Sequence, residues 1–168
     1  LSSDPLTVPV VRFSGLALTF GQYPAGTQTS GVSVLSRVQC TADTYQRASP
    51  TATATVTDGV TPQTFDVTHE CTYVSSGAAV SVTGLGDSTV LAGESVGSAT
   101  ITATFVTATD MQTLTVSGTA VDVSTVALTS NEGATLYGLD NSTFGTKVSL
   151  TLTDGTSYPG ALMGALTW

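Results

Sequence analysis

Ser98-Ala99-Thr100-Ile101-Thr102-Ala103-Thr104-Phe105-Val106 alternates small polar with apolar residues at every second position. In an extended chain successive side chains point to opposite faces, so this pattern puts one set in a core and the other in water. The same period runs through Ala52-Thr53-Ala54-Thr55-Val56-Thr57 and through Gln112-Thr113-Leu114-Thr115-Val116-Ser117. Turn signals separate these runs at Asp58-Gly59, Ser76-Gly77, Gly84-Leu85-Gly86-Asp87, Ala92-Gly93 and Thr109-Asp110. Short strands spaced by ~8–12 residues, with no amphipathic helix among them, predict an all-β sandwich or barrel.

Composition narrows what such a fold can do. Only 10% of the 168 residues are charged, and 4 Lys+Arg stand against 12 Asp+Glu for a net charge of -8. Nucleic acid and anionic lipid need clustered cations, whereas Arg12, Arg37, Arg47 and Lys147 are scattered. Nucleic-acid partners are therefore excluded, and no apolar run approaches the ~20 residues of a membrane helix. The β-branched, 40% hydrophobic composition argues against disorder. The first residues, Leu1-Ser2-Ser3-Asp4-Pro5, read as a mature or excised end of a secreted or cell-surface protein.

An internal repeat organises the chain. Thr53-Ala54-Thr55-Val56-Thr57-Asp58-Gly59 returns as Ser149-Leu150-Thr151-Leu152-Thr153-Asp154-Gly155, and Glu70-Cys71-Thr72-Tyr73 as Ala165-Leu166-Thr167-Trp168. Tyr73 and Trp168 thereby become the expected core aromatics of two successive units, since a sandwich places a large ring across its core. Cys71 matches Leu166 and is expected to point inward.

Three further runs carry a resemblance. Thr55-Val56-Thr57-Asp58-Gly59, then Thr72-Tyr73-Val74-Ser75-Ser76-Gly77-Ala78-Ala79-Val80-Ser81-Val82, then Gly97-Ser98-Ala99-Thr100-Ile101-Thr102-Ala103 resemble the bacterial immunoglobulin-like group 2 domain, found in intimin- and invasin-type surface proteins. The resemblance implies an immunoglobulin-like β-sandwich in tandem, with the second copy incomplete. Residues 1–49 are an N-terminal extension with the first strands, 50–120 the domain core, and 121–168 the opening strands of a second domain. Tyr73 stands where that family prefers Trp, and the cysteine pair is foreign to it.

Cys40 and Cys71 admit one intramolecular pairing, and the low-Lys, Thr-rich composition favours a disulfide over the alternative of two buried thiols. Asn141-Ser142-Thr143 is a glycosylation sequon, to be occupied if the chain passes through a eukaryotic secretory route. Catalytic readings are weak. Gly93-Glu94-Ser95-Val96-Gly97 spells a nucleophile elbow, but such an elbow leads into a helix and here leads into a strand pattern. His69 sits beside Glu70 on an expected surface strand. One His and two paired Cys are too few for zinc, and Asp87 and Asp140-Asn141 lack calcium-loop spacing. Tyr23, Tyr45, Tyr137 and Tyr158 fall near separate turns and make no sugar platform.

The expectation is thus a non-enzymatic extracellular module, without cofactor or metal, built into a filament, fibre, stalk or surface appendage. Its partners are identical subunits or tandem domains, with glycans as a further class. The alternative is an adhesin-type domain for a protein receptor or polysaccharide. Strands at 121–130, 147–153 and 162–168 supply about half a sandwich, to be completed by further chain or by a partner's strand, with Leu6-Thr7-Val8-Pro9-Val10-Val11-Arg12-Phe13 a candidate donor.

Overall fold

The alternating runs become long strands in the computed structural model, which describes residues 10–39, 44–130 and 146–158. In chain order they are β1 (Arg12–Tyr23), β2 (Val34–Val38), β3 (Thr44–Tyr45), β4 (Arg47–Thr57), β5 (Pro62–Asp66), β6 (Thr72–Ser75) and β7 (Val80–Thr83). There follow β8 (Val90–Gly93), β9 (Gly97–Phe105), β10 (Ala108–Val121), β11 (Val123–Ser130), β12 (Thr146–Leu152) and β13 (Ser157–Tyr158). Single 3₁₀ turns lie at Thr68–Glu70 and Gly86–Ser88.

Among the described residues these strands form three sheets, and the fold is all-β. One has the order β1-β4-β8-β7, with β5 also on β4; a second runs β3-β2-β10-β9-β6; a third is β11-β12-β13. All pairs are antiparallel except β2 with β10. The paths β1-β4-β8-β7 and β6-β9-β10 reproduce the ABED and CFG strand orders of an immunoglobulin constant-type sandwich, which gives residues 12–121 their immunoglobulin-like character. The first strand of that scheme is split here: β1 lies on β4, and after residues 24–33 the chain crosses so that β2 lies on β10.

The two large sheets share one core. Leu18, Phe20, Ala48, Val80 and Leu91 from the first meet Leu35, Ala99, Ile101, Ala103, Leu114 and Val116 from the second. Each large side chain so buried contributes about 1.5–3 kcal/mol relative to exposure. The inner positions of β4 are small, and Ala52 and Ala54 form an adjoining cluster with Val67 and Cys71. Tyr73 packs against both clusters, and its hydroxyl donates to the Thr68 carbonyl at 3.0 Å.

Several local readings need correction. The surface strand expected at His69 and Glu70 does not form: Asp66 Oδ1 accepts from Thr68 N at 2.9 Å and Thr68 Oγ1 accepts from Ala52 N at 2.9 Å. These side-chain bonds divert the backbone into the 3₁₀ turn that carries His69 and Glu70, whose side chains pair at 3.4 Å. The turn expected at Thr109-Asp110 lies earlier, at Val106-Thr107, with Val106 at φ 56. Asp110 is instead inside β10, where its Oδ2 accepts from Leu18 N at 2.7 Å and ties the two sheets together. Position 50 lies within β4, so residues 12–49 share their sheets and core with residues 50–121.

The repeat is written in the backbone. Asp58-Gly59 turns β4 into β5, and Asp154-Gly155 turns β12 into β13, with both glycines left-handed at φ 95 and φ 85. Pairing of β1 with β4 slips between Phe13 and Gly15, and pairing of β11 with β12 slips between Val123 and Thr125. Phe13 lies opposite Val56 and Val123 opposite Leu152, so the slips occupy equivalent places. Ser14-Gly15-Leu16-Ala17-Leu18-Thr19 therefore corresponds to Ser124-Thr125-Val126-Ala127-Leu128-Thr129. The matched positions of β12 and β4 fall where the Asp-Gly repeat puts them.

Candidate functional site

Two glutamines interrupt the apolar and threonine-rich pattern near the end of the first unit. Gln22, near the end of β1, and Gln46, between β3 and β4, are buried to 5% and 9% exposure. A buried amide is stable only when its donors and acceptors are matched. Gln46 Oε1 accepts from Ser36 N on β2 at 2.9 Å, which holds the amide in place. Its Nε2 then donates to Asp154 Oδ2 at 2.8 Å and to Thr156 Oγ1 at 3.3 Å. Gln22 Oε1 accepts from Gln28 N at 3.3 Å, and its Nε2 donates to the Ser157 carbonyl at 3.0 Å. Thr27 N reaches the same carbonyl at 3.3 Å.

These bonds seat the second Asp-Gly turn on the first unit. An apolar contact lies beside them: Val121, Leu150, Leu152 and Tyr158 form a buried cluster against Val38 of β2. Backbone bonds complete the join, with Gln39 N donating to Val121 O and Thr153 N to Asp122 O, each at 2.9 Å. The approach at Gly26 is close enough that a Cβ there would collide with the Ser157 carbonyl and the Gln22 amide. A cavity of about 200 Å³ opens at the junction, lined among others by Gln22, Gln28, Ser33, Gln46, Asp154 and Tyr158.

The electrostatics follow from partial burial. Desolvation at Asp154 by itself raises its pKa, but hydrogen bonds from the Thr156 backbone and side chain and from Gln46 outweigh it and hold the carboxyl below 3.8. The Tyr158 phenol is pushed up to about 12, chiefly by burial and then by the nearby Asp154 charge. At neutral pH the junction thus holds one carboxylate, neutral amides and a neutral phenol. This set recognises and orients by hydrogen bonding.

Other sequence candidates do not gather here. Cys71 is a buried free thiol with its pKa raised by burial, while Cys40 lies outside the described residues. Asn141, Trp168, Tyr137 and Asp140 also lie outside them, as do Leu6-Thr7-Val8-Pro9 of the candidate donor strand. Gly93 ends β8 and Gly97 opens β9, so Ser95 sits in a loop that leads into a strand. Asp87 lies in the 3₁₀ turn at Gly86–Ser88. Among the described residues no group of three or more His, Cys, Asp or Glu converges, and no helix is long and apolar enough to cross a membrane.

Tyr158, expected near a turn, follows the Asp154-Gly155 turn in β13, where it is 8% exposed and fills the second unit's cluster. Sequence reasoning does not single out Gln22, Gln46 and Asp154 as a site, although an isolated polar amide at the edge of a β-pattern is the signal that marks two of them. Compared with models of known protein families and with curated proteins, the sequence matches none.

Proposed function

We propose that this chain is a structural module of an extracellular filament, fibre, stalk or surface appendage, of bacterial immunoglobulin-like group 2 type, in which successive β-sandwich units are held in fixed relation. The single observation that carries this reading is the seated Asp154 turn. A flexible tether between units would leave that turn in water; here amide donors, a carbonyl acceptor and a buried tyrosine join it to the preceding unit. Joined sandwiches transmit force through strands and hydrogen-bonded junctions, and their stiffness spaces whatever they carry.

Such a module assembles with itself through the β-sandwich units of identical subunits or of tandem domains. The Thr/Ser-rich, low-charge surface tolerates glycans, Asn141 being the acceptor, and an oxidising extracellular setting would join Cys40 to Cys71. Negative-stain microscopy of native material tests the assembly: a polymer with a regular axial repeat is expected, and uniform single particles that do not associate would sink the reading. For the cysteines, intact mass after alkylation with and without reduction should differ by two blocked thiols.

A further inference from the structure

The two equivalent Asp-Gly turns differ in what covers them. Asp154 meets Gln46, whereas no described side chain reaches Asp58 Oδ2; Oδ1 of Asp58 accepts only from Val60 N at 2.8 Å and Thr61 N at 2.9 Å of its own turn. The equivalence extends to neighbours. Val121, just before β11, is buried in the junction at 6% exposure, while its counterpart Val11, just before β1, is exposed at 57%. Around the Asp58 turn, Phe13 and Val60 are also exposed, and the Phe13 ring meets that of Phe105, next to exposed Val106. Val60 matches Thr156, which Gln46 meets, whereas Phe13 matches Val123, itself 41% exposed; among the described residues the first unit therefore leaves exposed the turn and Val11, the counterparts of the seated turn and Val121.

We propose that this end of the first unit, the Asp58 turn with Val11 and Val60, is a docking face for an immunoglobulin-like unit of the same build as residues 12–121, which seats the turn on amide donors placed as Gln22 and Gln46 are. The inference rests on the tandem reading above and adds the partner and the contact. The carboxylate of Asp58 complements the amide donors, and Val11 takes the place of Val121. Such a join is head-to-tail, since the glutamine cleft and the Asp58 turn lie at opposite ends of β4, and repeated head-to-tail joins extend a line.

The test lengthens the full chain by inserting a second copy of residues 12–121 after Val121, which sets the inserted Asp58 turn where Asp154 normally follows. Double-mutant cycles are then read by melting temperature at both junctions: Gln46→Ala of the first copy with Asp58→Ala of the inserted copy, and Gln46→Ala of the inserted copy with Asp154→Ala. Loss of the local Gln46 to Ser36 bond is additive with either Asp change, whereas a shared hydrogen bond couples the pair. The expected result is coupling at both, each double variant losing less in melting temperature than the sum of its two singles. Additivity at the inserted junction, with coupling kept at the Asp154 junction, overturns the docking face and leaves the tandem reading intact. Additivity at both overturns the two together. Retention of the unmodified chain on a receptor or glycan surface, abolished by Asp58→Ala while the inserted junction stays additive, would assign this end to adhesion and also overturn the proposal.

Discussion

Asp58-Gly59 and Asp154-Gly155 close equivalent strand pairs, with the same slip in register opposite Val56 and Leu152, yet the first projects into solvent and the second seats on two buried glutamines. Their local geometry is shared, because an Asp side chain accepting from amides two or three residues on, followed by a left-handed Gly, makes the turn without help from the rest of the molecule. What differs is the surroundings. The lesson is that a turn motif specifies its own bend and not its partner; the partner arises where another unit supplies donors and an apolar seat.

The largest effect expected from breaking this contrast is at Tyr158. Tyr158→Ala removes the ring from the second cluster and should destabilise β12–β13 by about 3 kcal/mol, on the scale of large-to-small core changes. Hydrogen exchange should show Leu150–Leu152 amides losing protection while β9 and β10 keep theirs. By contrast, Val60→Ala in the exposed turn should stay within about 0.5 kcal/mol of the parent. A Tyr158→Ala variant with β12 fully protected would show that the junction does not depend on this contact.

Next comes Gly26→Val, which forces a side chain into the space between Gln22 and the Ser157 carbonyl. Overpacking of this kind costs roughly 1–3 kcal/mol, and the second unit should release before the first unit melts. Limited proteolysis reads the release as cleavage after Tyr158 or within 122–130, at a denaturant concentration that leaves 12–121 intact.

A smaller loss, about 1 kcal/mol, follows Asp154→Ala, which removes the acceptor for Gln46 and Thr156. Asp58→Ala should leave the junction unchanged, since its bonds stay within its own turn. Equal losses of junction protection in the two variants would erase the distinction between the turns.

The smallest effects are on pH. The folded carboxyl of Asp154 lies below its ordinary value, so its stabilising contribution is present above about 4 and is lost as pH falls through the folded pKa. Asp154→Asn should flatten that acid limb. Tyr158 has the opposite sign: its raised value keeps its contribution full below 10 and removes it as pH rises toward about 12. A phenol titrating at the ordinary 10 by ultraviolet absorbance would mean that the ring is not buried.

Much of this architecture was legible in the residues. Alternation in 52–57, 98–106 and 112–117 located β4, β9 and β10, because a half-buried strand must alternate if one face is to be dry. The Asp-Gly pairs marked both turns. Other features were hidden for physical reasons. Ser14–Thr19 and Ser124–Thr129 were not matched until the register of β1 and β11 aligned them, since a short strand shared by two units carries few identities. Asp110 looked like a turn former, and only the approach of β1 to β10 shows it accepting from Leu18 N.

By itself, then, the sequence determined an all-β chain with tandem strand-turn units and a net charge of -8 with few, scattered cations. Periodicity, turn chemistry and charge are local or additive properties, and they survive without knowledge of which strands meet. Tertiary structure alone decided that β2 joins β10 in parallel, that Tyr158 is interior, and that Gln22 and Gln46 receive the second unit. Each of these depends on residues far apart in the chain brought within hydrogen-bonding or van der Waals reach, and such distances are set by how sheets stack, not by any run of neighbours.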